Sequence, residues 1–295
     1  MERNIDLHIH TSFSDGIYTP RQVVERALMK NLAAIAITDH DTTDGISESI
    51  CWGGKNTLEV VPGIELSSDG LDSVGEEIHI LGYYIDWDNS FFQDKLRLFR
   101  QARERRVRHI LDKLYHLNLK LKEERLFEIA GMGSIGRLHI ARLMVEEGHV
   151  KTSQEAFDKY LVYGKPAYVP RLRLAPEEAI QMIIRIGGIP VLAHPKYGAN
   201  KKKIVKYLKG KGLMGIEVYY EKHTPHETET YLEWACTLDL LVTGGSDCHG
   251  SLEYGKEELM GSVDIKYKLL HDMKKAKKHL LKKNLSIFSQ DLLDS

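Results

Sequence analysis

Short apolar runs along the chain alternate with stretches whose apolar positions recur every three to four residues. Residues 5–9, 33–38, 58–61, 78–83, 189–193, 214–219 and 240–244 have the length and β-branched content of strands. Helical periodicity follows several of them, as at 20–30 and 176–186. The alternation predicts βα units and an α/β fold. Between 91 and 163 the rhythm breaks, because only helical periodicity is present. That stretch is expected to be a helical insertion, which assigns 1–90 and 164–295 to the main domain.

Composition changes this picture little. At 295 residues the chain can bury one large α/β domain with a small insertion. A formal net charge of −1 and 42% hydrophobic residues describe a globular protein with no global bias toward nucleic acid or membrane. No apolar run approaches the roughly 20 residues of a membrane span, and MERN leads into the first strand without a hydrophobic leader. A cytoplasmic protein without a membrane partner is the expectation. Cys51, Cys236 and Cys248 are odd in number with no CxxC, so reduced thiols are expected. KKK at 201–203 and the lysines from Lys266 to Lys283 read as solvated helix faces.

The candidate chemistry sits where the apolar runs end. In DLHIHTSFSDG, His8 and His10 leave a strand on one face, and Asp15 follows. His40 closes AIAITDH, Glu65 follows EVVPGI, and His194 closes IPVLAH. Asp247 and His249, after LLVTGGS, repeat the two-residue spacing, while His79 lies inside its run in EEIHILGY. In a barrel of parallel strands the C-terminal ends converge on one rim, so these groups would meet there. Packing does not account for so many imidazoles and carboxylates, and left unpaired they would be costly to bury. Nine such groups exceed the roughly four ligands of one zinc-like ion. Two or three divalent ions sharing Glu65 fit them, and manganese, zinc and iron all suit the donor set.

The ordered fragments HIHTSFSDG, TDHDT, PGIE, EEIHILGY, GRLHIAR, AFDKYL, GKPAYVPR, VLAHP, GIEVYY and TGGSDCHG resemble the PHP family, named for polymerase and histidinol phosphatase. The resemblance covers almost the whole chain. It implies a distorted (β/α)7 TIM-like barrel with a helical insertion over the active site. It also implies a ligand scheme of His8, His10, Glu65 and Asp247 for one ion, Asp15, His40 and His249 for a second, and Glu65, His79 and His194 for a third. Two positions depart from the usual pattern: Leu138 stands where GRPH has proline, and Cys248 stands at the third position of SDFH. Cys248 should point away from its ligating neighbours and pack.

Such a cluster implies a phosphoric ester hydrolase in which metal-bound hydroxide attacks phosphorus, with Asp15, His40 and Glu65 as catalytic residues. No GxSxG or GxxxxGK[ST] is present to suggest a serine hydrolase or a nucleotide triphosphatase. Among family members the chain is most similar to nucleoside 3′,5′-bisphosphate phosphatases. A small phosphorylated substrate, a nucleotide first of all, is the expected partner. Alternatives are a 5′–3′ exoribonuclease acting on short RNA, a cyclic-phosphate phosphodiesterase, a histidinol phosphatase and a non-catalytic binding module.

For substrate binding, the helix FFQDKLRLFRQARERRVRHILDKLYHL places Arg103 in its apolar stripe, with Arg100 and Arg106 on the shoulders. A guanidinium there either pairs with a buried carboxylate or points at a substrate phosphate, and the resemblance favours the phosphate, implying Arg103 as a substrate contact. GSIGRLHIAR offers a second element: Gly133 and Gly136 before a helix suggest free backbone N–H groups, with Arg137 and His139 as further donors.

Overall fold

The computed structural model describes residues 3–71, 77–131, 133–172, 174–195, 201–250 and 258–291, with side chains described through residue 282 in the last of these. Seven strands form one sheet in sequence order: β1 (Ile5–Ile9), β2 (Ala34–Ile37), β3 (Glu59–Asp69), β4 (Glu77–Tyr83), β5 (Ile189–Leu192), β6 (Gly215–Tyr220) and β7 (Leu241–Gly245). Each sequence-predicted strand is present, and the sheet curls into a nearly closed barrel. Cys248, just beyond β7, exchanges backbone hydrogen bonds with β1, accepting from His10 N and donating to His8 O. Gly245 permits this close approach, because a Cβ there would lie 2.2 Å from the Cβ of His8.

Strand direction departs from the all-parallel expectation. β4 pairs antiparallel with both β3 and β5, while the other strand pairs are parallel. The position of His79 follows from this. It is the third residue of β4, and in a reversed strand the N-terminal end is the one that reaches the rim. β3 also runs longer than predicted, without a turn at Pro62–Gly63, so Glu65 is a mid-strand residue. It stands beside the end of β2, where His40 and Glu65 form an isolated bridge.

Helices α1 (Pro20–Met29), α2 (Ile46–Lys55), α7 (Pro176–Arg185), α8 (Lys201–Gly210), α9 (Pro225–Thr237) and α10 (Tyr267–Asp291) belong to the barrel's connections. Local chemistry starts several of them. Thr19 and Thr224 cap α1 and α9 in capping boxes with Gln22 and Glu227, each with proline at the first turn. The lysines of α10 are not all solvated. Lys274 Nζ lies 2.7 Å from Glu59 Oε2, and Lys277 donates to the carbonyls of Tyr84 and Gly187, pinning α10 to the end of the barrel opposite the rim. The Lys283 side chain lies outside the described residues.

Between β4 and β5 run α3 (Ser90–His116), α4 (Glu123–Ala130), α5 (Arg137–Glu146) and α6 (Ser153–Ala156), the last continued by a π-helical turn over Phe157–Leu161. From Val107 onward these helices pack around their own apolar cluster, which includes Ile110, Leu114, Leu126, Ile140, Leu143 and Met144. The first turns of α3 instead bury Phe92 and Leu96 in the barrel's cluster. One helix therefore joins two cores.

Candidate metal centre and its arginine wall

β1 alternates Leu7 and Ile9 into apolar clusters while His8 and His10 face the rim, both essentially inaccessible. Opposite them, Asp247 Oδ1 lies 3.3 Å from His8 Nε2 and 3.1 Å from His10 Nε2. Glu65 sits at the centre. Its Oε2 is 3.2 Å from both His8 and His10 and 3.1 Å from His40 Nδ1, and its Oε1 is 2.7 Å from His79 and 3.0 Å from His194. Asp15, His40 and His249 form a flank, with His249 Nε2 3.2 Å from Asp15 Oδ1.

All nine predicted ligands thus gather in one place. His10, Asp15, His40 and His249 make one group of potential donors within 4.8 Å; His8, His10, Glu65 and Asp247 make another; His40, Glu65 and His79 make a third. A fourth group joins His8 and His194 to Glu217.

The donors fit a cation. His8 Nδ1 lies 3.0 Å from Glu217 Oε1, and a proton held there turns the lone pair of Nε2 toward the carboxylate oxygens of Glu65 and Asp247. His8 Nε2, Asp15 Oδ1, His40 Nδ1 and Glu65 Oε2 are buried and make no hydrogen bond. Opposed lone pairs in a buried site need either protons or cations between them. Burial disfavours charge on Glu65, yet His40, His79 and His8 outweigh it and hold its carboxyl well below the usual range. Burial likewise opposes charge on His10, but Asp247 and Glu65 raise it to about 10, whereas burial takes His40 down to about 4. Cys248 is packed as expected, its thiol pushed up to about 12 by burial, which removes it as a nucleophile.

Above this floor opens a cavity of about 1610 Å³ whose lining includes Asp15, His40, His79, Asp247 and His249 together with Arg103, Arg106, Arg137, Arg142 and Arg171. Three of these arginines already have carboxylates. Arg103 Nε is 2.8 Å from Asp41 Oδ2, and Nη2 of the same side chain reaches Ser67. Arg137 Nη2 lies 2.9 Å from both oxygens of Glu77, and Arg171 pairs with Asp69. Among the described residues Arg106 donates to the carbonyl of Val169 and its buried Nη2 has no hydrogen-bond partner; burial and the neighbouring Arg137 lower its pKa to about 10. Arg142 has Asp15 as its electrostatic neighbour, with burial lowering its pKa.

The other expected substrate contacts differ. Arg100 is not among the cavity-lining residues and pairs with Asp44. His139 also lies off the lining, 98% buried by its 2% exposure, and its Nδ1 accepts the Gly136 N–H at the start of α5. Gly133 N–H donates to Ala130 O. The anticipated phosphate cradle at this helix start therefore has those two N–H groups already engaged within the protein.

A PHP domain model matches residues 6–166, more than half of the chain. The chain belongs to the PHP family. Among its PHP relatives, the 5′–3′ exoribonuclease Rnm of Salmonella typhimurium is 35% identical over 251 residues, covering 83% of this chain and 84% of that protein. The 3′,5′-nucleoside bisphosphate phosphatase of Chromobacterium violaceum is 32% identical over 273 residues, covering 86% and 90%. A solved structure from Bifidobacterium adolescentis, assigned as a metal-dependent phosphoesterase, superposes with a TM-score of 0.83 at 29% identity, covering 92% of this chain and 95% of that one.

Several groups in this PHP site were not singled out from sequence. Asp41 and Glu77 face the arginines; Glu77 also lies 3.8 Å from His79 and so joins the floor to the wall. Ser14 accepts at 3.4 Å from His10 Nδ1 while its own hydroxyl donates to the buried Asp39, which turns His10 Nε2 toward the floor. Glu217 is completely buried in the apolar strand GIEVYY. An acid within so apolar a run was the available signal, since a buried charge needs a partner.

Proposed function

We propose that this chain hydrolyses a phosphate ester of a nucleotide, with nucleoside 3′,5′-bisphosphates as its preferred substrates. Metal-dependent phosphoester hydrolysis is the activity the family and its relatives support. The observation that carries it to this chain is the set of unpartnered buried donors on His8, Asp15, His40 and Glu65 beneath an arginine-lined cavity. Two or three divalent ions of manganese, zinc or iron would be held by His8, His10, Glu65 and Asp247, by Asp15, His40 and His249, and by Glu65, His79 and His194. Bound there, such ions supply Lewis-acid stabilisation of phosphoryl charge and activate water near neutral pH. Asp15, His40 and Glu65 are the proposed catalytic residues.

The chain's own groups do the binding. Arg106 and Arg142, which form no ion pair among the described residues although Glu77 and Asp15 lie within electrostatic reach, can take a phosphate group, and Arg103 can add a donor beside Asp41. Arg137, fixed by Glu77, borders the same space. The helical segment 91–163 serves as the cover that presents these guanidinium groups to the floor. Cys51, Cys236 and Cys248 are free, which supports a reducing, cytoplasmic setting.

A second reading, a 5′–3′ exoribonuclease, is favoured by one observation: the cavity of about 1610 Å³ exceeds the roughly 300–1,000 Å³ of ordinary small-ligand pockets. A phosphate-release screen with manganese separates the readings, using nucleoside bisphosphates, nucleoside monophosphates, histidinol phosphate, cyclic phosphates and short 5′-phosphorylated RNA. The highest kcat/KM is expected for a bisphosphate. Preference for RNA would move the assignment to the second reading, and inactivity on every ester would overturn both.

A further inference from the structure

β6 contributes none of the nine expected ligands, yet it touches three of them. Its Glu217 carboxylate is fully buried and lies 3.0 Å, through Oε1, from Nδ1 of His8 on β1. Oε2 accepts the backbone N–H of His194, beyond β5, at 2.7 Å. His194 has φ 21°, an uncommon conformation for a non-glycine residue, and this hydrogen bond holds it there. Three residues along, the Tyr220 hydroxyl donates to Oδ2 of Asp247, beyond β7, at 3.2 Å.

In a regular strand, positions 217 and 220 point to opposite faces. Here the register with β7 shifts between Glu217 and Tyr219, a bulge that brings both side chains to the metal-centre face. We infer that β6 is a positioning strand, whose Glu217 and Tyr220 set the tautomer and orientation of His8, His194 and Asp247 and thereby the affinity of the ion held by His8 and Asp247. The inference rests on the metal-centre reading above. It goes beyond that reading by assigning roles to two residues outside the three proposed ligand sets.

The chemistry distinguishes the two. Glu217 accepts through both oxygens, so an isosteric glutamine keeps one contact and sets its own N–H2 against the other donor. Tyr220 supplies a single neutral hydrogen bond, and phenylalanine retains its ring beside His194, with centroids 5.3 Å apart. The flank of Asp15, His40 and His249 receives no contact from either residue in the hydrogen-bond and ion-pair network described above.

Manganese binding to wild type, Glu217→Gln, Tyr220→Phe and Tyr219→Phe, measured by equilibrium dialysis with elemental analysis, tests this. Glu217→Gln is expected to weaken the ion held by His8 and Asp247 about 10- to 100-fold, together with any ion held by His194, Tyr220→Phe to weaken the ion of His8 and Asp247 less, and both to leave the ion of Asp15, His40 and His249 at wild-type affinity. Tyr219→Phe, at the adjacent position whose side chain packs against the apolar clusters instead, should bind as wild type does. Unchanged affinity in both Glu217→Gln and Tyr220→Phe overturns the positioning role. Equal weakening of every ion in a Tyr220→Phe protein that melts as wild type does also overturns it. Should Glu217→Gln fail to fold, Tyr220→Phe decides alone. If the wild-type chain itself binds no divalent ion, the metal-centre reading fails instead.

Discussion

The floor and the wall of the cavity face each other but are built on opposite terms. On the floor, donors back one another: Glu65 meets five imidazoles, and His8 and His10 are each braced from behind by a carboxylate, directly by Glu217 or through Ser14 by Asp39. On the wall, Arg103, Arg137 and Arg171 are paired with acids, while Arg106 and Arg142 form no ion pair among the described residues. The contrast teaches which group each surface awaits. A floor of converging lone pairs takes cations, and a wall with unspent guanidinium charge takes an anion. A phosphate ester between bound divalent ions and arginines meets both requirements.

The largest expected effect tests whether the floor acts as one unit. Glu65→Gln keeps the shape of the side chain and removes its charge; metal content should fall and kcat/KM should drop on the order of 10²- to 10⁴-fold. His79→Ala should cost less, because His79 sits at one edge of the cluster and Glu65 at its centre. Elemental analysis and kinetics on the two variants check this, and equal losses would remove the bridging role of Glu65.

An intermediate effect sharpens the division within the wall. Arg106→Ala should lose about 2–5 kcal/mol of transition-state stabilisation while its melting temperature stays near that of wild type, since the substitution removes a half-buried cation on which Arg137, Arg103 and Arg171 act against Glu77. Arg103→Ala should instead melt earlier. It leaves Asp41, 7% exposed, without its partner, at a cost of about 1–3 kcal/mol. Thermal denaturation beside kcat/KM reads both; a destabilised Arg106→Ala with an undisturbed Arg103→Ala would reverse the assignment. The smallest effect is reserved for Arg100→Ala. Its pair with Asp44 is more than a third exposed on both sides and is worth about 0–1 kcal/mol, and kcat/KM should not change.

The floor was largely legible in the sequence because strand geometry is local. Period-two spacing put His8 with His10 and Asp247 with His249, and the ends of apolar runs marked His40 and His194. Strand direction is not local. Nothing in EEIHILGY states that β4 runs backwards, so His79 looked misplaced until the pairing with β3 and β5 resolved it. The wall was legible as a set of arginines but not as a set of partners. Whether Arg103 meets Asp41 or a ligand depends on helix docking across 62 positions of chain, which the periodicity of α3 does not encode. The bulge in β6 is hidden for the same reason, since it exists only relative to β7.

The unspent charge on Arg106 and Arg142 bears on how the protein should be handled at the bench. On the proposed reading, guanidinium groups that take a phosphate do not inspect the rest of the molecule carrying it. Sulfate from a precipitation step, or inorganic phosphate from a buffer or from turnover itself, would then compete for the same positions. Apparent KM values are expected to climb with such anions, and progress curves to bend as product accumulates. Assays in chloride or zwitterionic buffers, with released phosphate consumed by a coupling enzyme, give the undistorted rate.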